Sequence, residues 1–228
     1  MSDAFRNLAF FLLFFTIGVG PIDSFAQRPA TDQNYYAPVD PGIIKSAEYN
    51  HLGQAMNKLA QERRQGRYAY DGAYAELRYI LEYAPNHPQA LALATDVAVR
   101  ANKPEWVEEY FDKALTLYPN YGETHALYAA YLHKRGRARD AITEYEKALA
   151  LGNDTPNTHY NLGLAYLAQK QYDKANLHAQ KAYQAGFPYP ALREKLKQAG
   201  AWKPTTRSDP APPPAERPSE PRDQRSQD

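Results

Sequence analysis

Four segments of the sequence repeat one pattern at intervals of 34 residues. They occupy residues 73–85, 107–119, 141–153 and 175–187. Each places small or apolar side chains four and then three residues apart, which puts them on one face of a helix. The residues that share a position are Ala73, Val107, Ala141 and Ala175; Leu77, Phe111, Tyr145 and Ala179; and Ile80, Ala114, Ala148 and Ala182. A period of this length predicts a stack of repeated helical units.

The stretches between these helices align at the same interval. The clearest rows are Leu91, His125 and His159, and then Ala94, Tyr128 and Leu162. Each stretch is long enough for a helix of about 14 residues, and Gly136 marks the end of one of them. We therefore predict pairs of helices, with Asn86 and Asp154 as N-caps of the first helix in two of the pairs.

The third and fourth pairs resemble the tetratricopeptide repeat, a family of helical hairpins. The residues that carry the resemblance are Ala129, Leu132, Gly136, Ala141, Tyr145 and Ala148 in the third pair, and Leu162, Gly163, Tyr166, Tyr172, Ala175 and Ala182 in the fourth. The pair at 88–119 matches less closely, and the pair at 46–85 matches in its second helix alone. The resemblance covers about 140 of the 228 residues. It implies an all-α fold, a right-handed superhelical solenoid of antiparallel helix hairpins.

The repeat domain is expected to span residues 46–202 and to end in a capping helix at 189–200. Leu192 and Leu196 fall on one side of that helix, and charged residues cover the other. A terminal helix with one polar face shields the last repeat from water, as the end of a solenoid requires. Trp202 is expected to pack beneath this helix.

Residues 1–26 have the features of a secretory signal peptide. Arg6 precedes an apolar run at 8–17, and the small residues Ser24 and Ala26 follow it. Cleavage after Ala26 would release an exported protein with no stable membrane insertion, into the periplasm if the cell has two membranes. The alternative is an uncleaved segment that anchors the protein to the inner membrane. The apolar run is short for that, because a bilayer span needs roughly 20 apolar residues.

Two segments flank the repeat domain. Residues 27–45 mix proline, glycine and polar residues without a helical period, so we predict a flexible linker. Residues 203–228 contain seven prolines and no aromatic or large aliphatic residue. Such a segment buries too little apolar surface to offset the chain entropy lost on folding, so we predict a disordered tail. Its proline run at 212–214 is also typical of a polyproline II ligand.

The family resemblance also implies a binding surface, the concave face lined by the first helix of each hairpin. The residues expected there are Gln89, Leu93, Asp96 and Arg100 in the second hairpin, Glu123, Leu127, Ala130, His133 and Lys134 in the third, and Asn157, Tyr160, Asn161, Leu164 and Ala168 in the fourth. This mixture of apolar, amide and charged groups suits an extended peptide or a partner helix better than a small molecule. Ordinary solvated surface is the alternative for each of them. Tyr121 and Tyr160 are expected to be exposed anchors.

A carboxylate clamp, which some members of the family use to hold a peptide C-terminus, is not expected here. That clamp needs lysine, arginine and asparagine at matching positions, and only Asn161 and Lys58 resemble the set. Glu123 and Leu127 stand where cations or amides would help. The resemblance therefore implies a protein partner, but not one that is recognised by its C-terminal carboxylate.

Composition and motifs argue against several other functions. The chain has no cysteine, which removes disulfides, thiolate metal sites and a lipoprotein anchor. The net charge of +1 gives no reason to expect nucleic acid as a partner. No catalytic or phosphate-binding motif occurs, and His125 and His159 share one repeat position, which favours a structural role. We predict no cofactor, no metal and no enzyme activity.

The sequence thus favours a non-catalytic scaffold or adaptor of the cell envelope that binds a protein partner in the concave groove. The alternative is a structural subunit of an envelope secretion or polysaccharide-export assembly, which would use the convex surface or the ends of the array. Neither the partner nor the oligomeric state follows from the sequence.

Overall fold

The computed structural model describes residues 31–65 and 70–204, which form helices joined by short turns. In chain order the helices are α1 (Pro41–Ala47), α2 (Gly53–Gln65), α3 (Asp71–Tyr83), α4 (Pro88–Ala101), α5 (Glu105–Leu117), α6 (Gly122–Lys134), α7 (Ala138–Ala150), α8 (Pro156–Ala168), α9 (Tyr172–Gln184) and α10 (Ala191–Gln198). A π-helical segment, Glu48–Leu52, joins α1 to α2. The predicted signal peptide at 1–26, and the predicted tail beyond Pro204, lie outside the described residues.

The helices pack as antiparallel hairpins in sequence order: α2 with α3, α4 with α5, α6 with α7, and α8 with α9. Helices α4, α6 and α8 begin at Pro88, Gly122 and Pro156, at the predicted interval of 34 residues. The turn after α6 contains Gly136 with a φ of 78°, a left-handed conformation that glycine adopts without steric cost. The predicted all-α solenoid of stacked hairpins is confirmed.

Small residues let neighbouring helices approach closely, as the repeat rows predict. Ala141 and Ala175 are fully buried where each second helix meets the stack. A Cβ atom on Gly122 would lie 2.8 Å from the carbonyl oxygen of Ala148, closer than such atoms approach. Glycine is therefore needed where the start of α6 meets the end of α7.

Helix α10 covers the C-terminal end of the stack. Leu192 and Leu196 are fully buried, against α8 and α9. The half-buried ring of Trp202 lies 6.1 Å from the ring of Tyr183, and the guanidinium of Arg193 lies 5.4 Å from the Trp202 ring centre. A capping helix thus stands within the predicted range 189–200, with Trp202 packed beside it.

The described part of the predicted flexible linker, 27–45, differs from the prediction. Residues 41–47 form α1, whose first turn is capped by Asp40: its Oδ1 accepts a hydrogen bond from the Gly42 amide at 2.8 Å. Residues 31–40, which we call the strap, pack across the turns before α4 and α6. The physical reason is aromatic contact, since Tyr35 lies 4.4 Å from the ring of His87 and Tyr36 lies 4.6 Å from that of Tyr121.

The first hairpin is held by polar contacts around one carboxylate. Glu76 of α3 lies 2.5 Å from Lys58 Nζ and 2.6 Å from His51 Nδ1, both on the preceding helical segment. The hydrogen bonds from Lys58 and then His51 lower the pKa of the Glu76 carboxyl. This irregular hairpin is where the repeat pattern of the sequence is weakest.

Candidate partner-binding surface

The first helices of the last three hairpins form one surface. Helix α4 packs on α6, and α6 packs on α8, so residues 34 apart become neighbours on adjacent helices. We call this surface the groove. It contains the predicted site residues in four rows, which are Gln89, Glu123 and Asn157; Leu93, Leu127 and Asn161; Asp96, Ala130 and Leu164; and Arg100, Lys134 and Ala168.

The rows differ in exposure. The row at the N-terminal ends of the helices and the row at the C-terminal ends are exposed in every member. The two middle rows are half-buried, and Leu93, Leu127 and Leu164 pack partly against the core. The middle of the groove is therefore an apolar strip of Leu93, Leu127, Ala130 and Leu164, interrupted by Asp96 and Asn161, between two mostly polar margins. This pattern fits a partner helix or an extended peptide.

Tyr160 does not belong to the exposed part of the groove, and the expectation that it is an exposed anchor is wrong. The side chain is buried, and its ring stacks on Phe187 with 4.2 Å between ring centres. Burial raises the pKa of its hydroxyl. The turn after α9 bends Phe187 back over α8, and this contact replaces solvent.

Charged groups on the groove already satisfy one another in part. Lys134 Nζ of α6 forms an ion pair with Asp96 Oδ1 of α4. Both side chains are almost half exposed, so the pair contributes well under about 1 kcal/mol to stability. His133 is half-buried, and burial lowers its pKa, so the ring is neutral at neutral pH. Arg100 is left as an exposed cation at the same margin.

The strap reaches the margin of the groove. The Tyr36 hydroxyl donates a hydrogen bond to Glu123 Oε2 at 2.8 Å, and its ring lies nearly parallel to that of Tyr121. Burial and this hydrogen bond raise the pKa of the Tyr36 hydroxyl. Tyr121, expected to be an exposed anchor, is thus covered on one face by the chain itself.

Two sets of contacts fix the strap. The backbone amide of Asp32 donates to the Glu82 carbonyl at 3.1 Å, near the end of α3. The buried side chain of Asn86 accepts from the Tyr35 amide at 2.8 Å and donates to Asn34 Oδ1 at 2.8 Å. Asn86 was expected to cap α4, but His87 does so, since its Nδ1 accepts from the Ala90 amide at 3.3 Å.

Sequence reasoning missed the strap because it lacks a helical period. The signal that was available is the aromatic pair Tyr35 and Tyr36 in an otherwise polar segment. Large aromatic side chains gain from burial, and a solvated linker gives them no partner.

One histidine of the third hairpin and two of the fourth lie between paired helices. His125 of α6 contacts Glu144 of α7, and His159 of α8 contacts His178 of α9. Both are buried, in agreement with a structural role. Within residues 31–65 and 70–204, no cluster of three or more histidine, aspartate or glutamate side chains has the arrangement to hold a metal ion.

Among these same residues, no helix has the length and apolar character needed to cross a bilayer. The apolar run at 8–17 falls outside the residues that the structure describes.

Known proteins share this architecture. The family model described as TPR repeat matches residues 131–170, from the end of α6 through α8. PilF of Pseudomonas aeruginosa has a similar structure at 20% identity, with a TM-score of 0.52, over 69% of this chain and 71% of that chain. PilW, described as a type IV pilus biogenesis factor, aligns at 20% identity and a TM-score of 0.54, over 71% and 72% of the two chains.

A thermophilic TPR protein from Thermus thermophilus aligns at 20% identity with a TM-score of 0.51, over 68% of this chain and 84% of that chain. At such identities the likeness concerns the fold alone. No curated protein matches the sequence.

Proposed function

We propose that this chain, whose residues 131–170 match the TPR repeat model, is a non-catalytic scaffold that binds a protein partner along the groove. The observation that carries the proposal is the apolar strip of the groove. Leu93, Leu127 and Leu164 pack against the core on one side and leave part of each side chain in contact with water. Covering such a strip releases that water, and this gives a partner a reason to bind.

The partner that fits is an amphipathic helix or an extended peptide. The strip crosses three adjacent helices and is bordered by amide and carboxylate groups on one side, at Gln89, Glu123 and Asn157. The opposite border carries the cations Arg100 and Lys134. A partner with apolar residues along one face and acidic residues at the edge that meets Arg100 would match the strip and its cationic border.

The N-terminal sequence supports a site of action in the cell envelope. The basic start, the apolar run and the small residues before position 27 support export and cleavage after Ala26, which would place the groove in the periplasm of a cell with two membranes. The alternative is an uncleaved N-terminal anchor, which would hold the same groove at the inner membrane. N-terminal sequencing of the mature protein separates the two.

A photo-crosslinking amino acid tests the groove in the native envelope. The exposed position Asn157 lies on the groove, and the half-exposed Leu177 lies on the outer helix α9, which makes it a matched control. We expect one protein to be crosslinked reproducibly at Asn157 and not at Leu177, and mass spectrometry identifies it. Crosslinking at Leu177 alone would show that the convex side binds, as a structural subunit of an envelope assembly requires.

Charge insertion into the apolar strip gives a second test. The double substitution Leu93→Glu and Leu127→Glu places two carboxylates on the strip, and we expect it to abolish the crosslink at Asn157. Leu177→Glu makes the same chemical change on α9 and should leave the crosslink intact. Circular dichroism shows whether each variant is folded, and an undiminished crosslink in a folded double variant would contradict binding at the groove.

A further inference from the structure

The third and fourth hairpins use equivalent positions to join their two helices, but with different chemistry. In the third hairpin His125 faces Glu144, and in the fourth His159 faces His178. Each residue of the fourth hairpin follows its counterpart by 34 positions. The two contacts are therefore a natural comparison between a histidine–carboxylate pair and a histidine–histidine pair.

The third hairpin accommodates a protonated histidine. His125 Nδ1 lies 2.7 Å from Glu144 Oε2, and its Nε2 lies 2.8 Å from the carbonyl oxygen of Pro119. Both partners are acceptors, so a ring with a proton on each nitrogen donates two hydrogen bonds here. Proton uptake thus leaves the contact between α6 and α7 in place.

In the fourth hairpin the facing nitrogens of His159 and His178 can share only one proton. His159 Nε2 lies 2.6 Å from the carboxylate of Asp154, which favours a proton on that nitrogen. Its Nδ1 lies 2.9 Å from His178 Nδ1. A single proton between these two nitrogens makes a hydrogen bond, in which one ring donates and the other accepts. A second proton would direct two N–H groups at each other and place two positive charges in contact.

The surroundings of His178 do not compensate for a second charge. On its own helix, Lys174 and Lys181 add positive charge. From α7, Glu146 opposes them, but its carboxylate already accepts a hydrogen bond from the Tyr166 hydroxyl of α8. Burial first, and then the charges of His159 and Lys181, lower the pKa of His178 to about 4. The ring is therefore neutral at neutral pH.

We propose that the His159–His178 pair is an acid-sensitive contact: uptake of a second proton separates α8 from α9 and loosens the C-terminal end of the solenoid. The direction follows from proton linkage. An unfolded histidine titrates near pH 6.5, above the folded value for His178. The stabilising contribution is complete above about pH 6.5 and is lost as the pH falls toward 4.

Amide hydrogen exchange of the full chain, read by mass spectrometry, tests the proposal at about pH 7 and about pH 4.5. After correction for intrinsic exchange, we expect peptides from α8 to α10 to exchange roughly tenfold or more faster at the lower pH, relative to peptides from α5, which contains no histidine. His178→Glu gives the fourth hairpin the chemistry of the third and should remove most of this difference. An equal acid response in His178→Glu, or none in the wild type, would overturn the proposal.

If His178→Glu does not fold, the reciprocal variant and a spectroscopic measurement still test the proposal. Glu144→His should create the same acid response in peptides from α6 and α7. In the wild-type protein, NMR of the imidazole nitrogens should show the pair holding its second proton only where the α8 and α9 amides lose protection. Two doubly protonated rings together with protected α8 and α9 amides would also overturn the proposal.

Discussion

Close contact between small residues marks the third hairpin, whereas the first hairpin adds polar contacts around the half-buried Glu76 to its apolar core. In the third hairpin Ala129, Ala141 and Ala148 are fully buried, and Gly122 lets α6 touch the end of α7. In the first hairpin a π-helical segment interrupts the first helix, and the Glu76 carboxylate contacts His51 of that segment and Lys58 of α2. Where the 34-residue spacing is kept, small residues bring the paired helices close together. Where it is broken, polar contacts to Glu76 add to an apolar core that includes Ala73 and Leu77.

The polar character of the first hairpin continues into its contact with the second. His87, at the start of α4, is fully buried, and its Nε2 lies 2.9 Å from Glu48 Oε1 of the π-helical segment. Burial lowers the pKa of His87, and the charge of Glu48 opposes this shift. The N-terminal end of the solenoid, like the His159–His178 contact near the other end, therefore has a stability that depends on the state of single ionisable groups.

The largest difference between the two hairpins is expected when one methyl group is added at a glycine of each. Gly122→Ala places a Cβ against the Ala148 carbonyl, and we expect it to destabilise the protein by about 2–3 kcal/mol through overpacking. Gly53→Ala, in the first hairpin, meets no atom within 4 Å and should stabilise by roughly 0.5–1 kcal/mol through helix propensity. Urea unfolding measures both, and equal effects would show that the third hairpin is not closely packed.

Removing the acceptor of His87 should have the next largest effect. Glu48→Ala leaves Nε2 of a buried ring without its partner, at an expected cost of about 1–2 kcal/mol, and Glu48→Gln keeps an acceptor and should cost less. Glu48 also opposes the lowered pKa of His87, so its loss lowers that pKa further. Stability is then lost more steeply as the pH falls below about 6.5. Urea midpoints from pH 7 down to about 5 measure the slope, and an unchanged slope would contradict this account.

The smallest effect is expected from Tyr145→Phe in the third hairpin. The Tyr145 hydroxyl is buried, makes no hydrogen bond to any residue that the structure describes, and has a pKa raised by burial. Phenylalanine already stands at the equivalent position 111 of the second hairpin. We expect thermal stability to stay the same or to rise by up to about 1 kcal/mol. A clear loss of stability would mean that the hydroxyl has a bound water or another partner.

The sequence predicts the parts of this molecule that follow from a period. Rows such as Ala141 and Ala175 identify both the buried face and the partner helix, because each hairpin repeats the same contact. Helix ends follow from proline and glycine, although His87 rather than Asn86 caps α4 and Thr155 rather than Asp154 caps α8. The rows of the groove follow too, since they depend on the helix face and the repeat interval alone.

Contacts made once in the chain could not be predicted in the same way. The strap contacts residues far along the sequence through Tyr36 and Asn34, and these pairs are not part of the repeat pattern. Tyr160 was misjudged because Phe187 covers it from a turn with no helical pattern. The groove is thus predictable as a surface, but its margin at Glu123 and its end at Tyr160 depend on irregular segments.

The strap has a consequence for the order in which this protein folds. Hairpin contacts join residues that leave the ribosome close together in time, but Asn34 bonds Tyr121 at a separation of 87 positions and Tyr35 bonds Asn86 at 51. Such pairs form slowly, because a long loop must close before they stabilise anything. The strap is therefore synthesised before the residues that hold it and is expected to dock after the hairpins have formed. Until α6 is in place, Asn34 and Tyr36 lack the partners that they contact in the folded chain.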